Sequence, residues 1–205
     1  MKKVLVFDLD GTLAVSKGPI DIPMSKLFKE LLSEHHVCVV SGGNWDQFQK
    51  QLIPHIGVPY LMTSEGGLHC FPTSGTSYYQ FRYPDWVEVY KYDLSEEEKT
   101  DILAAFDTAF AETNYEEDLS PGKVWGEVLE DRGTQITFSA MGQEAPHTAK
   151  AWWDPDRTKR KELVAILQDL LPEFEVRIGG TTSIDVTHKG RDKGFAIQQI
   201  KKYLK

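Results

Sequence analysis

Short apolar runs alternating with helical spacing constrain the fold of this chain more than any other feature. Residues 3–9, KVLVFDL, form an uninterrupted β-rich run that stops at a turn on Gly11. HVCVV at 36–40 is a second such run, and PYLMT at 59–63 a third. Between the first two, Leu27, Leu31 and Leu32 share one face of a helix expected over 24–34. Between the second and third, Phe48, Leu52 and Ile53 fit a helix over 45–53, which Pro54 stops. Strands that are apolar throughout are covered on both faces, and strands alternating with helices join in parallel. The N-terminal part therefore reads as an α/β parallel-sheet core.

The pattern changes after residue 65. LHCF, PTSG and TSYYQF read as a hairpin with a polar turn. Ser95 and Glu98 make a capping box for a helix over 96–112, whose inner face carries Ile102, Leu103, Phe106 and Phe110. KVWGEVLE and TQITFSA alternate like half-buried antiparallel strands, and Asp154-Pro155 fits the start of a helix over 155–171. FEVRI and TSIDVT are two further strands joined at Gly179-Gly180, and a helix from Gly194 to Leu204 closes the chain. The expected division is a core of residues 1–80 and 188–205 interrupted by an α+β insertion, residues 81–187, of ordinary domain size.

Charge narrows the function. Lys and Arg number 23 against 31 Asp and Glu, a net charge of −8. An acidic surface repels nucleic-acid backbones and anionic membranes, so neither is an expected partner. No apolar stretch approaches the ~20 residues that cross a bilayer, and the basic start MKK leads into a run broken by Asp8, which fails as a signal peptide. A cytoplasmic protein is expected, with Cys38 and Cys70 as reduced thiols inside apolar runs.

The chemistry concentrates in Asp8-Leu9-Asp10-Gly11-Thr12, at the carboxyl end of the first strand, where open parallel sheets bind ligands. Two carboxylates two residues apart can share one metal and divide two tasks, attack on phosphorus and transfer of the leaving-group proton. Gly11 permits the sharp turn, and Thr12 offers a hydroxyl and an N–H. Ser41-Gly42-Gly43 ends the second strand with a hydroxyl and small residues that leave room for a phosphate. Gly190-Arg191-Asp192-Lys193-Gly194 opens the final helix, where a lysine opposes the helix dipole and needs an anionic partner. In the insertion, Arg132 lies where one strand turns into the next. Ser183 and Asp185 share one face of TSIDVT, and Arg177 can join them.

VFDLDGTL resembles the first motif of the haloacid dehalogenase (HAD) superfamily. The resemblance implies that Asp8 forms an aspartyl-phosphate and Asp10 is the general acid/base. It also implies Mg2+, held by the Asp8 side chain and the Asp10 carbonyl. Ser41 matches the second motif, which binds the transferring phosphoryl group, with Gly42 and Thr12 beside it. KGRDKG matches the third motif of members with an inserted α/β cap (subfamily IIB), which selects Lys193 over Lys189 and Arg191. VVSGGN, SEGGL, DRGTQITFSAMGQ and GGTTSIDVTHKGRDKG fall in the order seen in eukaryotic-type phosphomannomutases and related sugar phosphatases. By that likeness the fold is a Rossmann-like HAD core with a cap, and Arg132, Ser183 and Asp185 hold the substrate, a sugar phosphate. Homodimers through the cap are also implied.

Two departures matter. Gln143 stands where the mutases carry a second cap arginine, which favours hydrolysis over a mutase that must grip a phosphate at either end of a hexose. The superfamily's fourth, acidic motif is expected after the Lys193 helix, yet Lys205 follows almost at once. The nearest acidic pair, Asp154 and Asp156, reads as a helix cap. The sequence is therefore expected to be a truncation or the ordered part of a longer protein, with the first strand left as an apolar edge. The alternatives to a Mg-dependent sugar phosphatase are a phosphomannomutase and an inactive binding domain.

Overall fold

The computed structural model describes residues 4–62, 67–115 and 124–204. Along the chain these form β1 (Val4–Asp8), α1 (Ile22–Glu34), β2 (His36–Val40), α2 (Trp45–Gln51), α3 (Val58–Leu61), β3 (Gly67–Phe71), β4 (Ser77–Arg82) and β5 (Asp85–Lys91). There follow α4 (Glu96–Thr113), β6 (Leu129–Asp131), β7 (Ile136–Ser139), α5 (His147–Trp153), α6 (Thr158–Leu170), β8 (Phe174–Gly179), β9 (Ser183–His188) and α7 (Lys193–Tyr203). The chain divides into two compact units, residues 1–92 with 191–205, and residues 93–190.

The first unit holds a five-stranded sheet in the order β1-β2-β3-β4-β5. β1, β2 and β3 are parallel, with Asp8 opposite Val40 and Val40 opposite Phe71, whereas β4 and β5 return antiparallel. Period-2 alternation splits the apolar residues between two layers. Val37, Val39, Leu68 and Cys70 face Phe28 and Leu32 of α1 and Phe48 of α2. Cys38, Val40, Phe71 and Tyr78 face Ala196 and Ile200 of α7. Each fully buried Val, Leu or Phe among them contributes about 1.5–3 kcal/mol. β1 is an edge strand, and its Val4 and Val6 are 38% and 40% exposed.

The structure corrects three expectations. Of the strand expected over 59–63, residues 59–61 belong instead to a helical turn, Val58–Leu61, with a proline in its first turn, where no N–H is needed, and residue 63 lies outside the described residues. The third parallel strand is GLHCF instead, which pairs with β2 on one side and starts the hairpin with β4 on the other. The sheet continues through β5, so the second unit begins at Asp93 rather than residue 81, and it ends at Gly190 rather than 187. Asp154 caps from a distance. Its Oδ1 accepts the Lys159 N–H at 3.0 Å and its Oδ2 the Arg160 N–H at 3.2 Å, so α6 starts at Thr158 and not at residue 155.

A chain of polar rings crosses the α7 side of the sheet. His69 Nε2 lies 3.0 Å from His36 Nδ1, and His69 Nδ1 lies 2.8 Å from the Tyr78 hydroxyl. Burial, helped by His36, pushes the His69 imidazole down to about 4. Burial likewise pushes the Cys38 thiol up to about 12 and the Cys70 thiol well above its usual range, so neither is a nucleophile at neutral pH.

The second unit is a four-stranded antiparallel sheet, β6-β7-β9-β8. Ile136, Phe138, Val176, Ile184 and Val186 form a core with Ile102, Phe106 and Phe110 of α4 and Leu163 and Leu167 of α6. The capping box of α4 is present as read, Ser95 accepting from the Glu98 N–H and Glu98 from the Ser95 N–H. The register places Thr137, Asp185 and Arg177 in one row across the sheet, on the face opposite that core.

Candidate active site

In the first unit, the ends of β1 and β2 and the start of α7 converge. Asp8 closes β1 with a half-buried side chain. Its Oδ1 accepts the Leu9 N–H at 2.9 Å, and its Oδ2 lies 2.5 Å from Lys193 Nζ. This pair answers the dipole problem at the head of α7. Asp192 caps the helix by accepting the Phe195 N–H at 2.9 Å, and Asp8 supplies the second negative charge. Arg191 is used differently: its guanidinium lies 4.5 Å from the Tyr92 ring centre and 4.1 Å from that of Phe195.

Past Asp8 the chain turns sharply. The Leu9 carbonyl accepts the N–H groups of Thr12, Leu13 and Ala14, and Gly11 adopts φ +75°, a conformation open to glycine. Asp10 is anchored on one side. Its Oδ1 accepts the Lys17 N–H at 2.8 Å and lies 3.4 Å from Gln51 Nε2, while its Oδ2 lies 3.5 Å from Gln47 Nε2. Gly43 makes this possible, because a Cβ there would sit 1.8 Å from Gln47 Oε1. Sequence reasoning missed Gln47 and Gln51; their four-residue spacing on α2 is the signal that places them on one face. The Asp10 carbonyl accepts no hydrogen bond among the described residues.

Ser41 follows Val40, the partner of Asp8 in the ladder, and so lies at the same sheet edge. It is buried, its Oγ accepts the Gly43 N–H at 3.0 Å, and its hydroxyl proton has no acceptor among the described residues. Cβ atoms built at Gly11 and Gly42 meet nothing within 4 Å, so both glycines border open space. Thr12 is exposed, and its N–H is spent on Leu9. A turn with positive φ at Thr73, Ser74 and Gly75 braces this edge. Thr73 and Ser74 donate their N–H groups to the carbonyls of Gly43 and Ser41, both at 2.8 Å.

In the second unit, Asp185 Oδ1 accepts from Gln135 Nε2 at 2.8 Å and from the Thr137 hydroxyl at 2.9 Å. Burial raises its carboxyl above the usual range, against the opposing pull of Arg132 and Thr137. Gly179 leaves it room, since a Cβ there would lie 2.8 Å from Asp185 Oδ2. Ser183 lies two residues away on the same face of β9. Arg132 donates from Nε and Nη2 to one oxygen of Glu130, at 2.9 and 2.7 Å. Arg177 pairs with Glu175 at 3.2 Å rather than with Asp185. The Gln143 carbonyl accepts from Lys150 Nζ at 3.0 Å. Beneath the Gly179-Gly180 turn, the buried Arg160 bonds both glycine carbonyls, at 3.1 and 3.0 Å, and the Asp154 carboxylate at 2.7 Å.

The sequence model of haloacid dehalogenase-like hydrolases matches residues 5–205, nearly the whole chain. The chain belongs to the haloacid dehalogenase-like hydrolase family. Among curated proteins, the phosphomannomutase of Encephalitozoon cuniculi is 26% identical over 209 residues, covering 98% of this chain and 75% of that protein. Among solved structures, a haloacid dehalogenase-like hydrolase from Bacteroides thetaiotaomicron superposes with a TM-score of 0.65 at 13% identity, over 100% of this chain and 77% of the other. The C-terminal domain of C. albicans trehalose-6-phosphate phosphatase gives a TM-score of 0.62 at 16% identity, over 97% of this chain and 61% of the other. At such identities these two structures speak for the fold alone: a Rossmann-like α/β core carrying an α+β unit between β5 and α7. No helix among the described residues is long and apolar enough to cross a membrane.

Proposed function

We propose that this protein is a phosphatase of small phosphorylated molecules, sugar phosphates foremost, that works through a phosphoryl group carried on Asp8. The observation that carries the reading is the Asp8–Lys193 pair beside Asp10, at a strand end bordered by open space at Gly11 and Gly42. Asp8 attacks phosphorus in line, the ester P–O bond breaks, and Asp10 delivers a proton to the departing oxygen. Asp10 then takes a proton from water as its oxygen adds to phosphorus, and the acyl-phosphate bond breaks to return Asp8 and phosphate. Lys193, with three N–H donors, keeps Asp8 oriented and then offsets charge on the phosphoryl oxygens. Ser41 has a hydroxyl proton to give to the same oxygens, and the chain edge around Gly42 and Thr12 leaves room for them.

The donor set suits a hard divalent cation such as Mg2+. The Asp8 carboxylate and the uncommitted Asp10 carbonyl are oxygen ligands, and Mg2+ commonly takes one or two protein oxygens and keeps several waters. Among the described residues no third acidic or imidazole ligand gathers there. When bound, the cation supplies positive charge against the phosphoryl oxygens.

In the second unit, Ser183 and Asp185 are read as the sugar-facing groups, with the unit acting as a cap that limits water and selects the substrate. The likeness to a phosphomannomutase favours mutase chemistry as a second reading. Two features weigh against it. Arg132 is already held by Glu130, and Gln143 offers a neutral amide, so neither supplies a free cationic fork for a second phosphate. A phosphate-release screen over hexose phosphates, with and without Mg2+ and with Asp8→Asn as control, tests the proposal. Metal-dependent release that vanishes in the variant is expected. Isomerised sugar phosphate without free phosphate would replace this reading by the mutase, and no turnover of either kind would leave a binding domain.

A further inference from the structure

A cleft of about 380 Å³ opens on the first unit. Gln51 separates it from the Asp8 edge. The Gln51 side-chain N–H group meets Asp10, while the Gln51 backbone carbonyl accepts the N–H of Ile20, a wall of the cleft, at 2.9 Å. The remaining walls are the first turns of α1 and the 3-10 turn Ile53–His55 that follows α2. Ser25 on α1 donates its hydroxyl to the His55 carbonyl at 2.7 Å, which fixes these two walls to each other.

Three basic side chains, Lys26, Lys29 and His55, line this one cleft in a chain of net charge −8. Lys26 and Lys29 are three residues apart on α1 and therefore neighbours on its surface. Neither makes an ion pair with a carboxylate among the described residues; Lys29 Nζ merely lies 5.9 Å from the Tyr60 ring centre. The one acid in the wall, Asp21, has its carboxylate engaged with the Met24 N–H at 2.8 Å as the cap of α1. The two ammonium groups of Lys26 and Lys29 outnumber the single Asp21 carboxylate in the wall, and their mutual repulsion is relieved by a bound anion. Ile22 stands beside them 86% exposed, an apolar surface for the carbon body of a ligand to cover. The volume falls within the few hundred Å³ usual for small-molecule sites, roughly 300–1,000 Å³.

We propose that this cleft binds a phosphate-bearing small molecule, at a site separate from Asp8. The chemistry is a phosphate dianion held by Lys26, Lys29 and His55. Its source is either a phosphate ester or free inorganic phosphate or pyrophosphate.

The test is a set of amide NMR titrations of the whole chain, free of metal, with inorganic phosphate, pyrophosphate and a hexose phosphate. Saturable shifts are expected at Ile20, Ser25, Lys26, Lys29 and His55, weakening as salt is added. Lys26→Ala/Lys29→Ala is expected to weaken binding there by about tenfold or more, while shifts around Ser41 and Lys193 persist. Both lysines border solvent, so the variant keeps its fold. Tighter binding of the hexose phosphate, lost in Ile22→Ser, supports the ester as occupant; tighter binding of the inorganic ions supports those. Absence of saturable shifts at the cleft, or shifts that survive in the double variant, would overturn the proposal. Neither result bears on turnover at Asp8, so the two readings fail independently.

Discussion

Replacing Arg160 by Met tests how the second unit holds its polar sheet face. The Arg160 and Asp154 side chains are 2% and 0% exposed, and they meet at 2.7 Å. Arg160 also bonds the carbonyls of Gly179 and Gly180, which shape the turn leading into Ser183 and Asp185. Methionine keeps most of the aliphatic volume, so the loss is electrostatic. Removing one partner of a buried pair costs about 3–5 kcal/mol, because the other charge stays behind without its counterpart. Two backbone N–H groups still reach Asp154, which argues for the lower end of that range. For a unit of roughly 100 residues, this predicts a Tm at least about 12 °C lower. Asp154→Asn alone is expected to cost about 2–3 kcal/mol, and the double variant about 1–3 kcal/mol less than the sum. Urea unfolding followed by fluorescence reads the change directly, since Trp153 is buried next to Asp154. A loss below about 1 kcal/mol in Arg160→Met, or strict additivity in the double variant, would refute the reasoning.

Other outcomes follow from the same contacts. The His69 imidazole sits at about 4 in the folded state against an ordinary 6.5, so its contribution is present above the ordinary value and lost as pH falls toward the folded one. Between pH 7 and pH 5 the first unit should lose about 2 kcal/mol, measured by hydrogen exchange of β2 and β3, and His69→Phe should flatten that slope. Asp185 has the opposite sign: burial raises its folded-state value, so its contribution is full in acid and lost as pH rises. Asp185→Asn should therefore remove that loss from the urea stability of the second unit, while weakening substrate capture as KM. Gly75→Ala places a Cβ 2.5 Å from the Ala196 Cβ at φ +85° and should displace α7, lowering kcat through Lys193 by about tenfold or more. An unchanged kcat would show that the brace at residues 73–75 does not set the position of Lys193.

Much of this arrangement is readable in the sequence because it rests on local rules. The apolar runs of β1 and β2, the capping box at Ser95 and the Asp-x-Asp-Gly-Thr turn each carry their own physical signal. PYLMT misleads because a short apolar run has no periodicity to separate strand from helix, and Pro59 fits a first helical turn as well as a strand edge. β5 escapes because DWVEVYK alternates in the sheet of the first unit, and only its pairing with β4 reveals which unit it joins. At the site, Lys193 is legible as a cation at a helix start that needs an anion, and Asp8 as a carboxylate at the ligand-binding end of a parallel strand. Gln47 and Gln51 are not, since a surface amide on a short helix looks the same whether it faces water or a carboxylate. The pairing of Arg132 with Glu130, two residues away on the same strand region, was also hidden, as strand spacing shows which residues share a face but not which bond forms.

The central claim is that a phosphoryl group passes through the carboxylate at the end of β1. The most direct measurement is an acid quench during turnover of a phosphate ester, followed by mass analysis of the peptides. A phosphoryl mass on the peptide carrying Asp8, absent in Asp8→Asn, is the predicted result; with an aryl phosphate, whose leaving group departs without a proton, it should also accumulate when Asp10 is changed to Asn. Phosphate release by the wild-type chain with no phosphoryl group on that peptide, or with one on another residue, would contradict it.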